Sequence, residues 1–93
     1  MPFEIVFAPE AVGDFKRLTA NVRATVRAGI ETHLRHGPEK ISRSLQGLLQ
    51  PQYRLRVGDV RVFYDVSGKT VEVLAIVPKS EAARWLAQFA SPQ

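Results

Sequence analysis

A small α+β domain is the fold that the sequence predicts, on three observations. Two alternating runs, Tyr53 to Val57 and Val60 to Tyr64, flank Gly58-Asp59. A Gly-X pair between alternating runs marks a two-residue β-hairpin. Two stretches with helical periodicity precede it, and a β-branched run and one more helical stretch follow it. The 93 residues suffice for one domain, spanning 1–93. The expected architecture is an N-terminal strand, a helical hairpin packed on a three- to four-stranded, largely antiparallel sheet, and a short C-terminal helix.

Each element has a local reason. Phe3, Ile5 and Phe7 alternate with Glu4 and Val6, which reads as a strand. Pro9 suits a first helical turn, where no N–H is needed, and Glu10 suits the positive helix start. Val12, Phe15 and Leu18 are the expected core stripe of this helix. Asn21 is the expected cap of the second, in which Val22, Val26, Ile30 and Leu34 recur at four until Gly37-Pro38 ends it. Glu39 to Gln52 has no period, with Leu45, Leu48 and Leu49 available to pin it to the core. Ser67-Gly68-Lys69 makes a second turn before the strand Val71 to Val77, which Pro78 closes. Ala82, Trp85, Leu86 and Phe89 then share one face of a helix over 79–89.

Thirteen Lys+Arg against nine Asp+Glu give a net charge of +4 and a pI near 10.0. Solubility alone accounts for a charge of that size, so its position says more. Lys40, Arg43, Arg54, Arg56 and Arg61 face one acidic residue, Asp59, in the same stretch. Lys16, Arg17, Arg23, Arg27 and Arg35 read as the solvated face of the helices. Without cysteine there is neither a disulfide framework nor a thiolate metal site. His33 and His36 lie three apart with no carboxylate or cysteine spacing to complete a metal site, so no metal and no cofactor is expected. Neither a signal-peptide core nor an apolar run of membrane length is present; the expectation is a cytoplasmic protein with no membrane partner.

With Gly58 and Asp59 as the turn, Val57 faces Val60, Arg56 faces Arg61, Leu55 faces Val62 and Arg54 faces Phe63. Tyr53, Leu55, Val57, Val60, Val62 and Tyr64 then line an apolar face, and Arg54, Arg56 and Arg61 the other. Like charges directly opposite one another destabilise a sheet by up to ~1 kcal/mol. Folding alone gives no reason for them, whereas planar guanidinium forks suit phosphate.

This hairpin, Tyr-Arg-Leu-Arg-Val-Gly-Asp-Val-Arg-Val-Phe-Tyr, resembles the signature hairpin of the RelE/ParE superfamily of bacterial toxins from type II toxin–antitoxin systems, and the likeness spans the chain. For a RelE-like member the resemblance implies metal-independent cleavage of messenger RNA on the ribosome. The 2′-hydroxyl is the nucleophile there, and basic residues stabilise the pentavalent phosphate. By that resemblance the catalytic positions are Arg61, Arg56, Arg54 and Lys79, and the RNA-binding ones are Lys40, Arg43 and Trp85. Arg54 and Arg56 stand where the family often has lysines, and no tyrosine follows Lys79 where many members have one. Trp85 carries two readings, a base-stacking aromatic or core packing with Leu86 and Phe89. Glu81 is either an acid–base group or a solvated helix-start charge. The implied partners are a cognate antitoxin, the ribosome and mRNA, in a homo-oligomer or a toxin–antitoxin hetero-oligomer. The alternatives are a ParE-like inhibitor of DNA gyrase and a member that only binds antitoxin and DNA.

Overall fold

The computed structural model describes residues 2–37, 43–44, 51 and 53–90. In chain order they form β1 (Glu4–Phe7), α1 (Pro9–Arg17), α2 (Ala20–His33), β2 (Arg43–Ser44), β3 (Tyr53–Val57), β4 (Val60–Ser67), β5 (Thr70–Pro78), a 3-10 turn (Lys79–Glu81) and α3 (Ala82–Ala90). One sheet has the order β1-β5-β4-β3-β2, with β1 parallel to β5 and the other pairs antiparallel. The fifth strand beyond expectation is the two-residue β2, opposite Arg54 and Tyr53. The expected anchoring by Leu45, Leu48 and Leu49 lies outside the described residues, as does the side chain of Phe89.

The helical hairpin covers one face of the sheet, where Val26, Ile30 and Leu34 of the α2 segment pack with Leu55, Val62 and Tyr64. Two details differ from the sequence expectation. Val12 is 39% exposed, whereas Ala11 and Asp14 are buried. Residues spaced by three slip backward about 60° per step on a helix of 3.6 residues per turn. The buried stripe therefore starts at Ala11 and continues through Asp14, Phe15 and Leu18. The cap of α2 is Thr19, whose hydroxyl accepts the Val22 N–H at 3.3 Å, and Asn21 lies inside the helix.

β5 changes phase halfway. Phe63 pairs with Ala75 but Tyr64 pairs with Val73, leaving Leu74 as an extra residue. Val71, Val73 and Ile76 consequently join the core under the helical hairpin. Leu74, Ala75 and Val77 turn to the outer face, where Phe63, Trp85 and Leu86 complete a second small core under α3. Because β1 ends at Phe7 opposite Val73, no strand among the described residues borders the rest of β5 on that edge. There the Ile76 N–H donates to the Asp14 carboxylate instead, at 2.9 Å.

Candidate phosphate-binding site

The hairpin has the register that its alternation implies: Val57 opposite Val60, Arg56 opposite Arg61, Leu55 opposite Val62 and Arg54 opposite Phe63. Gly58 takes φ of 58°, a left-handed conformation that glycine adopts without strain. Arg56 is exposed and Arg61 half-buried. Arg61 folds back over the turn, its Nη1 donating to the carbonyls of Gly58 at 3.0 Å and Val60 at 3.2 Å.

Lys79 reaches the same end of the sheet by a backbone contact. Its N–H donates to the Asp59 carbonyl at 2.7 Å, which fastens the start of the 3-10 turn to the hairpin turn. Val77, two residues earlier, is paired with Arg61. Arg56, Arg61 and Lys79 thus gather at one corner, and none forms an ion pair with a carboxylate among the described residues. Arg54 is half-buried one register step inward, and Arg43 pairs with it in β2. The side chain of Arg43, and Lys40 altogether, lie outside the described residues.

The helical cations are used differently. Arg17 bonds Asp14 at 2.6 Å, and Arg35 bonds Glu31 at 2.7 Å and the Phe3 carbonyl at 3.1 Å. Arg23 closes the end of α1 by donating to the Lys16 and Leu18 carbonyls. Arg27 lies 5.4 Å from the centre of the Phe15 ring. These four contacts serve the helices, whereas the hairpin corner brings three cations together on one side of the sheet end. Each can donate to non-bridging phosphate oxygens, and together they favour two negative charges over one.

Trp85 is not an open stacking platform in this structure. It is 6% exposed, its ring stacks on Phe63, and its indole N–H donates to Glu10 Oε2 at 2.8 Å. The amphipathic face it shares with Leu86 is turned onto the sheet, which is the core-packing alternative of its two readings. Glu81 is exposed in the 3-10 turn. Sequence reasoning missed Asp14, Glu10 and Phe63. The available signals were an acid in phase with the buried stripe of α1, and a lone aromatic in the arginine row of β4.

The architecture is that of the RelE toxins. It is similar to a chain of the RelBE2 toxin-antitoxin complex of Mycobacterium tuberculosis, with a TM-score of 0.76 and 22% identity over 84% of this chain and 92% of that one. The isolated Escherichia coli RelE toxin gives a TM-score of 0.69 and 18% identity over 90% and 98% of the two chains. A chain of the archaeal RelE-RelB complex from Pyrococcus horikoshii gives 0.65 and 24% over 85% and 97%. No curated protein matches the sequence at a significant level. Residues 5–83 match the family described as the ParE toxin of type II toxin-antitoxin system, parDE, and the chain belongs to that family.

Proposed function

We propose that this toxin is an endoribonuclease that cleaves messenger RNA on the ribosome and so inhibits translation. The supporting observation is the corner where Arg56 stands opposite Arg61 and the Lys79 backbone is bonded to the turn. In the reaction, a ribose 2′-hydroxyl loses its proton and attacks the adjacent phosphorus. The resulting pentavalent species carries two negative charges, and the 5′-oxygen leaves with a proton. Arg56 and Arg61 stabilise the doubly charged state more than the singly charged substrate, which is the requirement for lowering a barrier. Arginine does not readily give up its proton, so of the three corner cations Lys79 is the one suited to proton exchange. Arg54 and Arg43 extend the cationic row along the RNA backbone.

An antitoxin is the partner that fits this surface. The related chains from M. tuberculosis and P. horikoshii come from structures described as toxin-antitoxin and RelE-RelB complexes. An acidic segment that orders on the corner would gain charge-assisted hydrogen bonds. The setting is cytoplasmic, where ribosomes are found; among the described residues no helix is long and apolar enough to cross a membrane.

The second reading, inhibition of DNA gyrase by binding, is favoured by the family match to ParE toxins and by the missing terminal tyrosine. Separate incubations with programmed ribosomes and with gyrase distinguish the two. Cleavage of the ribosome-bound message with gyrase unaffected supports the nuclease. Intact message with inhibited gyrase transfers the function to the second reading, and neither effect leaves a chain that only binds its antitoxin.

A further inference from the structure

Trp85 sits on the outer sheet face as a nucleobase would. Its ring lies 12° from parallel to Phe63 with 4.8 Å between centroids, an offset stack of two flat π systems. Its polar edge is held by a carboxylate, Nε1 donating to Glu10 Oε2 at 2.8 Å. A planar bicycle stacked on one aromatic ring, with its ring N–H bonded to an acid, has the contacts of a purine in a protein pocket. The surroundings extend the likeness. Phe63 is paired with Arg54, and Arg61 precedes it by two residues in the same strand. Residues two apart share a face and stand roughly 7 Å from each other, a span that one nucleotide bridges.

We infer that Phe63 and Glu10 form a nucleobase subsite beside the arginine corner, filled by Trp85 in the free protein and vacated when RNA binds. The inference rests on the RNA-cleaving reading above. Phe63 belongs to β4, with β3 and β5 on either side, so the stacking platform stays fixed when α3 moves. The cover is a single helix hinged at the 3-10 turn Lys79–Glu81. The two oxygens of Glu10 select a base with two adjacent N–H donors. Among the RNA bases that is guanine, through N1–H and its exocyclic amine. Uracil offers one N–H between two carbonyls, and adenine and cytosine each set their amine beside an acceptor that repels a carboxylate.

Trp85 is the chain's one tryptophan, so its emission reports its own displacement. The full-length chain is titrated with short ribo-oligonucleotides that carry guanine, uracil or an abasic residue at one position. A 2′-O-methyl group at the following linkage blocks cleavage, and labelled-oligonucleotide anisotropy gives the affinity. The guanine oligonucleotide is expected to shift Trp85 emission to the red and to bind roughly tenfold more tightly than the abasic one, within the range of one base–aromatic stack. Trp85→Ala is expected to bind it more tightly than wild type, because nothing has to be displaced. Glu10→Gln, on an exposed position that does not threaten the fold, is expected to bring guanine and uracil to near-equal affinity. Binding that Arg56→Glu weakens, but with unchanged Trp85 emission and no preference for guanine, overturns the subsite and leaves the arginine corner standing. No binding of any oligonucleotide by wild type or Trp85→Ala overturns the subsite, while cleavage of the message on programmed ribosomes decides the RNA reading separately.

Discussion

Asp14 and Ile76 tie the first helix to the last strand, the Asp14 Oδ2 accepting the Ile76 N–H at 2.9 Å across 62 residues of chain. The carboxylate occupies the edge that β1 leaves open beyond Phe7, and its other oxygen takes the Arg17 guanidinium. Asp14→Ala leaves a buried N–H without its acceptor and is expected to cost about 1–3 kcal/mol. Asp14→Asn should lose less, because its amide oxygen still accepts. Urea unfolding of the two variants provides the comparison; equal stability of Asp14→Ala and wild type would show that the edge needs no side-chain acceptor.

Val62 is fully buried on the face that meets the helical hairpin. Val62→Ala removes two methyl groups from that core and is expected to destabilise the domain by about 1–3 kcal/mol. The same denaturant titration measures it. A free energy of unfolding equal to that of wild type would contradict the packing described for β4.

Arg61 has two employments, bonding the turn carbonyls and facing Arg56. Arg61→Ala is expected to slow cleavage on pre-formed ribosome complexes by roughly 10²–10³-fold, by analogy with the loss of one oxyanion donor. Binding should fall much less, since phosphate affinity is shared over many cations. Single-turnover kinetics separates the two effects. Lys69→Ala is the matched charge control. Its ammonium lies over the Phe3 ring at 4.6 Å, so a loss of about 0.5 kcal/mol in stability is expected with the cleavage rate unchanged.

Antitoxin binding should depend on salt and on the sign of the hairpin charges. Arg54→Glu and Arg56→Glu are expected to weaken the complex and to flatten its salt dependence. Calorimetric titration at several ionic strengths checks this. Affinity indifferent to both would place the antitoxin on another surface.

A pH effect follows from Glu31. The hydrogen bond from the Arg35 guanidinium, with a smaller charge attraction, holds its carboxyl below the ordinary 4.5. A depressed folded value means that the pair's contribution is fully present above 4.5 and is lost as the pH falls through the folded value. Glu31→Gln should flatten the acid limb of the stability–pH curve. The pair lies in solvent, so added salt should reduce the difference between variant and wild type.

The hairpin was legible from its residues because Gly58-Asp59 fixes the turn and one pleat of error would have put three arginines into the core. The placement of the arginine face followed directly. Helix α1 was harder to read, since Ala11 is small and Asp14 is charged, and neither registers as part of an apolar stripe. The bulge at Leu74 was signalled only by lost alternation: Val71-Glu72-Val73 alternates, whereas Leu74-Ala75-Ile76-Val77 is continuously apolar. Without the bulge, Ala75 and Val77 fall on the wrong face and the second core under Trp85 is invisible. The Glu10–Trp85 bond joins residues 75 apart in sequence, and no local pattern carries such a pairing.

The placement of β5 also bears on how the chain is made. Glu4 pairs with Thr70, so the first strand has no neighbour until most of the polypeptide exists. Contacts between distant residues form late, because a long loop must close before they yield any stabilisation. On an elongating ribosome, β1 and α1 emerge with their strand partner and the acceptor-bound Ile76 still unsynthesised. The corner where the Lys79 N–H meets the hairpin turn is likewise incomplete until residue 79 has been made. A chain of this design acquires its cationic corner only after nearly the whole of its sheet has been made.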